Sequence, residues 1–446
     1  MSDKKPPEFK VLKPIDPEEL EDGIHSPNLE EYLEEYRRYE AKIWEEFLEV
    51  EPGSYAEQLK ARELAKLYFL EAAHKQQTSS DGALWSERFN QLVAELYGKP
   101  EVSELVVLAE QELDKLPEDS ELRVLYEEVI SAYDPDQEAV SEIPQKLNDS
   151  DLEKVRKALF NHQAPIFENL DKYEHYNEYE VSKVEEIVNE IITVLTDISP
   201  EWNNWNVIRN SRTSLWVDPE RKEICIPEKR KPYESFSDLR RVIAHEVGAH
   251  AFRAVSGYEK GDSDLARGLA DYLEAEEGLG IFFGYLSSGV ISDSVRDKYF
   301  DAAIAYGIIP ELQMSREELI EFATKRRIER ERAKGVTLNE DEVLSAQGKA
   351  TRHVNRLFRG GDGKVYETPT GTTQAVFIKD IVYYLGVRKI EGFIKKKMNA
   401  GHDPENILKY LLQGKFDPTN EIHLEYISAK DDCFLLDDES PKTNLA

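Results

Sequence analysis

The chain begins with a polar stretch that has no hydrophobic period, and a long helical pattern follows it. Residues 1–27 are acidic and contain several prolines, which predicts a flexible lead-in. From residue 29 to residue 116, apolar side chains recur mainly at steps of three and four residues between charged ones. This is the period of helices that bury one face, and Pro52-Gly53 and Gly98-Lys99-Pro100 divide them. The pattern predicts a helical N-terminal region over residues 28–150.

The pattern changes after an acidic, proline-bearing junction at residues 134–151. Short β-branched and aromatic runs at 205–208, 215–218 and 223–226 are separated by turn residues, and such runs are typical of strands. The helical period then returns, and a strongly apolar helix is predicted over 265–286. Together these patterns predict an α+β protein that is mainly helical and contains a small sheet.

Composition and charge narrow the partners that we expect. Among 446 residues, 57 are Lys or Arg and 89 are Asp or Glu, which gives a formal net charge of −32. Such a charge repels nucleic-acid phosphates and anionic lipid, so neither nucleic acid nor a membrane is expected as a partner. Residues 1–12 show no apolar run typical of a secretory signal, and no apolar run approaches the roughly 18 residues that span a membrane, so we expect neither. We therefore expect a cytoplasmic protein.

The sharpest motif is the segment His245-Glu246-Val247-Gly248-Ala249-His250, which lies in a helical pattern. Zinc-peptidase helices carry H-E-x-x-H, with histidines at positions i and i+4 that share one face. Here the spacing is i and i+5, and in an α-helix that spacing turns the second histidine about 140° away from the first. A one-residue π-bulge would absorb the extra residue, and Gly248 supplies backbone freedom for it. The motif therefore predicts a bulged helix that holds a metal ion through His245 and His250.

A catalytic zinc site needs a third protein ligand besides these histidines. Glu274, Glu276 and Glu277 stand just before an apolar stretch in the predicted helix 265–286. Glu276 and Glu277 both lie at helical spacing from apolar residues, where a buried carboxylate needs a cation. Periodicity does not decide between these two.

The two motifs resemble a known family of zinc peptidases, which includes the microtubule-associated tyrosine carboxypeptidases. Its bacterial relatives are described as flavohemoglobin expression-modulating QEGLA-motif proteins. The resemblance lies in the segment 245–250, in Arg253, and in Glu276-Glu277-Gly278-Leu279-Gly280, where the family has Gln/Glu-Glu-Gly-Leu-Ala. It implies a zinc ion held by His245, His250 and Glu277, with Glu246 as the base acting on the zinc-bound water.

The resemblance covers roughly residues 35–415 and shapes the expected domains and partners. We expect a zincin-like metallopeptidase domain over residues 151–423 and an acidic disordered tail over 424–446. Tubulin tails are acidic, so the charge of −32 disfavours tubulin as the substrate.

An enzyme that acts at a C-terminus also needs a cation for the terminal carboxylate. Arg356, Arg359 and Lys379 are the candidates, and Tyr383 is a candidate donor to the developing oxyanion. An edge strand at 215–217 or 223–226 is predicted to hold the substrate backbone by strand addition.

The sequence thus predicts a zinc-dependent carboxypeptidase that removes a C-terminal residue from a peptide or protein. One alternative is an endopeptidase with the same metal but no carboxylate-binding cation. The other is a non-catalytic scaffold or regulatory binding protein with a retained metal site.

Overall fold

The computed structural model describes most of the chain from residue 82 onwards. The described ranges are 82–133, 146–176, 178–211, 214–228, 232–233, 235–269, 271–289, 293–358, 363–369 and 371–428. The predicted lead-in and the first predicted helices, up to residue 81, lie outside these ranges, as does Arg359.

Helices make up most of the described structure, and short strands lie between them. The helices are α1 (Gly82–Tyr97), α2 (Val102–Leu113), α3 (Leu122–Ser131), α4 (Asp149–His162), α5 (Ala164–Asp171), α6 (Val181–Ile198), α7 (Phe236–Ile243), a π-helix (Ala244–Ala251), α8 (Phe252–Glu259), α9 (Ser263–Arg267), α10 (Leu273–Ser288), α11 (Asp293–Tyr306), α12 (Arg316–Ala333), α13 (Glu340–Leu357), α14 (Val382–Asn399), α15 (Pro404–Leu411) and α16 (Glu421–Ser428). The strands are β1 (Asn206–Asn210), β2 (Trp216–Asp218), β3 (Glu223–Pro227), β4 (Tyr366–Thr368) and β5 (Gly371–Thr373). The prediction of a mainly helical protein with a small sheet is confirmed. Among the described helices, none is both long and apolar enough to cross a membrane.

The main sheet has three strands in the order β1-β3-β2. β3 pairs in parallel with β1 and antiparallel with β2. The three predicted strands are therefore confirmed, but residues 223–226 are central in the sheet, so their prediction as an edge strand was wrong. The other candidate, 215–217, overlaps β2, which lies at an edge and contacts the π-helix.

Two further sequence predictions differ from the structure. The helix predicted over 265–286 is two helices, α9 and α10, because Gly268 ends the first with a φ of 111° that favours glycine. The predicted tail begins too early, since α16 continues to Ser428 and buries Ile427 in a hydrophobic core. Only residues 429–446 of that tail lie outside the described ranges.

Three hydrophobic cores fix the position of the π-helix. The first joins α1–α3 to α11–α14, the second joins α4, α10, α14 and α15, and the third packs α5–α8 around the main sheet. The π-helix contributes Ala244 and Ala249 to the second core and Val247 and Ala251 to the third. Because two of its faces are buried in different cores, its polar side chains are held in fixed directions.

A buried ion cluster ties α11 to α12 and α13 away from the main motif. Arg326 donates to Asp301 over 2.7 Å, and both side chains are almost completely buried. His353, a residue near the predicted substrate-binding arginines, also contacts Asp301, at 2.9 Å. Burial raises the pKa of Asp301, but Arg326 and His353 outweigh this effect and lower the pKa to about 2.

Replacing Arg326 by methionine is expected to lower the free energy of unfolding at pH 7 by about 3–5 kcal/mol, because the buried Asp301 carboxylate loses its arginine partner and keeps only His353. Since the pKa of Asp301 is depressed on folding, its stabilisation is present above about pH 4 and is lost as the pH falls towards 2. The gap between wild type and variant should therefore narrow at acidic pH in urea unfolding. Arg332→Met is the control, because its pair with Asp119 is exposed and contributes little to stability.

Candidate metal centre

The predicted bulge between the two histidines is confirmed, and it brings their rings together. Residues 244–251 form a π-helix, which turns His250 back towards His245. The two Nε2 atoms lie 3.0 Å apart, and the ring planes stand at 89° to each other. In this arrangement, both nitrogen lone pairs can converge on one point.

A buried glutamine from another part of the chain supports the bulge. Gln163, between α4 and α5, donates through Nε2 to the carbonyl oxygen of Gly248 over 2.5 Å. A Cβ atom at position 248 would lie 2.7 Å from Gln163 Oε1, so the close approach itself requires glycine there. The Gln163 side chain therefore contacts the turn that sets the spacing of the two histidines.

Replacing Gln163 by leucine is expected to loosen this turn and weaken metal binding about 10-fold, as the loss of an outer contact of a metal site typically does. The lost hydrogen bond should also lower the free energy of unfolding by about 0.5–1.5 kcal/mol. Chelator competition and urea unfolding measure the two effects. Gln347→Leu, on an exposed face of α13, is the matched control. Unchanged metal affinity in Gln163→Leu would contradict the role given to this contact.

Glu277 of α10 is the carboxylate nearest to both histidine Nε2 atoms. Its Oε2 lies 3.5 Å from Nε2 of His245 and 3.8 Å from Nε2 of His250. Zinc bonds of about 2 Å in a tetrahedron place ligand atoms about 3.3 Å apart. The separations of 3.0, 3.5 and 3.8 Å are close to this value, so the donor set fits a zinc ion.

Glu246 stands beside this set. His245, Glu246 and His250 offer three possible ligand atoms within 4.8 Å of one another. The nearest approach of Glu246 to His245 Nε2 is 3.9 Å, which is longer than the approach of Glu277. Burial raises the pKa of Glu246 above its ordinary value, against the opposing effect of the two histidines. A carboxylate in this position is suited to exchange a proton near the metal.

Glu276 and Glu277 contact different nitrogens of His250. Glu276 contacts Nδ1, whereas Glu277 approaches Nε2, the nitrogen that lies next to His245. Oε1 of Glu276 lies 2.8 Å from Nδ1 of His250 and 2.9 Å from Nζ of Lys415. Arg253 donates to Oε2 of Glu276 and also to the carbonyl oxygens of Gly414 and Phe416, at 2.6 and 2.8 Å. Because a carboxylate accepts the Nδ1 hydrogen, the Nε2 atom of His250 is directed towards His245.

The charged side chains around the histidines shift one another's pKa values. Burial raises the pKa of Glu276, but Lys415, Arg253 and His250 outweigh it and hold the pKa well below its ordinary value. Burial lowers the pKa of His250, whereas the Glu276 and Glu277 carboxylates raise it, with a net rise to about 10. Without a metal, His250 is therefore protonated at neutral pH. A divalent cation competes with this proton for Nε2, so metal affinity should rise with pH.

Glycines in α10 allow two close approaches at the site. A Cβ atom at Gly280 would lie 2.8 Å from Cε1 of His245, so the ring of His245 occupies the space that a side chain would need. A Cβ atom at Gly278 would lie 2.1 Å from the carbonyl carbon of Gly386 in α14. Since Lys389 also pairs with Glu274 at 2.8 Å, α14 runs antiparallel to α10. The start of α14 therefore lies beside the second half of α10.

This crossing brings Tyr383 close to the metal centre. Tyr383 precedes Gly386 by about one turn of α14, and the Glu277 and Glu246 carboxylates lie near enough to affect its phenol. Burial raises the pKa of Tyr383 above its ordinary value, and the Glu277 carboxylate raises it further. The phenol therefore keeps its proton at neutral pH and can donate it in a hydrogen bond.

The three predicted substrate-binding cations differ in their surroundings. Arg356, near the end of α13, donates to Oδ1 of Asp380 over 3.1 Å, and Asp380 lies three residues before Tyr383. Lys379 is half-buried in a short 3-10 helix, Ile378–Ile381, and makes no ion pair within the described part of the chain. Arg359 lies outside the described residues.

The resemblance to zinc peptidases rests on two motifs, 245–250 and 276–280, which the structure places side by side. The π-helix packs directly against α10, so His245, Glu246, His250 and Glu277 come together although two helices separate them in sequence. Sequence reasoning missed Gln163 and Lys415, since neither belongs to a local motif. Comparison of the chain with protein-family models, curated proteins and solved structures finds no match.

Proposed function

We propose that this protein is a zinc-dependent metallocarboxypeptidase with a zincin-like catalytic domain, and that it removes a C-terminal residue from a peptide or protein. The observation that carries the proposal is the convergence of three donor atoms. His245 and His250 approach within 3.0 Å of each other, and Glu277 lies 3.5 and 3.8 Å from them. Glu246 next to this set separates a catalytic role from a structural one, since a structural zinc site needs no adjacent base.

The proposed roles follow from position and charge. When bound by His245, His250 and Glu277, zinc supplies polarisation of the scissile carbonyl and acidifies a water molecule. Glu246 accepts a proton from the attacking water and returns it to the leaving amine. Tyr383 donates a hydrogen bond to the carbonyl oxygen as negative charge develops there.

The strand β2 offers a place for the substrate backbone. It lies at the edge of the main sheet and contacts the π-helix that carries His245 and His250. A peptide that adds to this edge would run past the metal centre with its backbone held by hydrogen bonds. We propose a cytoplasmic peptide or protein C-terminus as the substrate and, because of the acidic chain, not a tubulin tail, nucleic acid or membrane.

The test uses a library of peptides, each made with a free C-terminal carboxylate and as a C-terminal amide. Purified protein should release the last residue from the free acids, lose this activity in the presence of a chelator, and regain it with zinc. Mass spectrometry identifies the bond that is cut. Equal cleavage of the amides would favour the endopeptidase. Absence of cleavage despite bound zinc would favour a scaffold or regulatory protein.

A further inference from the structure

A second group of charged side chains lies beside Tyr383, and Lys298 of α11 is its central member. Lys298 Nζ is 3.9 Å from Oδ2 of Asp380 and 4.2 Å from the centre of the Tyr383 ring. Arg356 contacts the other oxygen of Asp380, at 3.1 Å. One carboxylate thus faces two cations, one on each of its oxygens.

This group contains one more cation than carboxylates, and Lys298 makes no hydrogen bond within it. Lys298 donates no hydrogen bond to any described residue, and the distance to Asp380 exceeds that of a hydrogen bond. Asp380 Oδ2 is buried and also lacks a hydrogen bond among the described residues. Lys298, Arg356 and Asp380 alone carry a formal charge of +1, and Lys298 is only 20% exposed. The missing component at this point is therefore an anion.

Lys298 lies close enough to the candidate metal centre to be affected by its charges. It lies over the ring of Tyr383, and the Glu277 carboxylate acts on both side chains. Burial and the nearby Arg356 lower the pKa of Lys298 on balance, although Asp380 and Glu277 act in the opposite direction, so the ammonium lies in the field of the proposed metal ligand. An anion bound at Lys298 would stand next to the bond that the metal centre acts on.

We propose that Lys298 binds the C-terminal carboxylate of the substrate, with the Tyr383 ring as its support. The proposal rests on the carboxypeptidase function proposed above and names the residue that gives it C-terminal specificity. Lys298 suits this role better than the cations predicted from the sequence. Arg356 is already hydrogen-bonded to Asp380 and is more than half exposed, and Lys379 has no described contact with the site.

The role of Asp380 follows from the same distances. Without substrate, its carboxylate attracts Lys298 from 3.9 Å and so keeps the ammonium beside Tyr383. A substrate carboxylate at hydrogen-bonding distance offers a stronger, charge-assisted bond. Lys298 therefore gains a partner on substrate binding and gives up no hydrogen bond.

The experiment compares Lys298→Met with wild type on one peptide in two forms, the free acid and the amide. For the free acid, KM should rise about 10- to 100-fold, the range expected for one charged hydrogen bond, whereas kcat should change little. For the amide, the variant and wild type should behave alike. Lys298→Arg should restore much of the preference for the acid. Lys325→Met, an exposed lysine on α12 that also changes the charge by one, is the control.

A binding measurement keeps this proposal separate from the proposed hydrolysis. In the Glu246→Gln background, calorimetry should show tighter binding of the free acid than of the amide, and Lys298→Met should remove the difference. Equal binding of both forms, or an unchanged KM in Lys298→Met, would overturn the role of Lys298 while leaving the hydrolase proposal standing. A Lys298-dependent preference in binding without hydrolysis by wild type would support Lys298 as a carboxylate site and overturn the peptidase.

Discussion

Replacing Glu246 by glutamine is expected to lower kcat for peptide hydrolysis about 10²- to 10⁴-fold, the usual contribution of a general base. Glutamine keeps the shape of the side chain but cannot accept a proton. The carboxylate of Glu246 is half-buried, lies 3.9 Å from His245 Nε2 and has a raised pKa, which suits it to taking and returning a proton. Steady-state kinetics on the released C-terminal residue measure the loss.

The same variant should keep its metal, because Glu277 approaches the histidines more closely than Glu246 does. Elemental analysis of the purified variant separates loss of the base from loss of the metal. Glu259→Gln, at the exposed end of α8, is the matched control and should retain full activity. Undiminished hydrolysis in Glu246→Gln would rule out the proposed base.

Replacing His250 by alanine should abolish metal binding, the second of the two largest effects. Wild-type protein is expected to hold about one zinc ion per chain, and a site that loses one of three protein ligands and its geometry should purify without metal. Zinc should raise the melting temperature of wild type, since it binds the folded state, and should leave that of His250→Ala unchanged. His175→Ala, an exposed histidine outside the site, is the control.

The two neighbouring glutamates should respond differently in the same assay. Glu277→Ala is expected to lose the metal as His250→Ala does. Glu276→Gln should still bind zinc but about 10- to 100-fold more weakly, because it removes a carboxylate that orients His250 and not a ligand. A reversal of these two results would assign Glu276 to the metal and Glu277 to the outer position.

The local part of the site could be predicted from the sequence, because it depends on spacing alone. Two histidines five residues apart, with a glycine between them, were enough to predict the bulge that the structure contains. The same reasoning could not decide whether Glu276 or Glu277 is the third metal ligand, since both follow the helical period. What separates them in space is contact with Arg253 and Lys415, and Lys415 comes from a loop about 140 residues away in sequence.

Long-range pairing explains the remaining differences. The strand at 223–226 is one of the two edge candidates in the sequence, and it is central because it also pairs in parallel with β1, which no local pattern shows. Gln163 and Lys298 carry no local motif, and they reach the site only because α4 and α11 pack beside it. The break at Gly268 had a local signal, a glycine after Arg267, but the apolar pattern on both sides concealed it.

The π-helix also means that a single codon separates this motif from the common zinc-peptidase motif H-E-x-x-H. A π-helix is an α-helix with one residue more in a turn, so the segments on either side keep their facing directions. Removing a single codon between Glu246 and His250 would return the segment to the α-helical period and give histidines four residues apart. One in-frame insertion or deletion of a codon therefore separates two motifs that differ in sequence spacing but place their two histidines on the same side of the helix. Searches for such sites by sequence motif need to allow one inserted residue between the histidines, whereas searches by the geometry of the histidines do not.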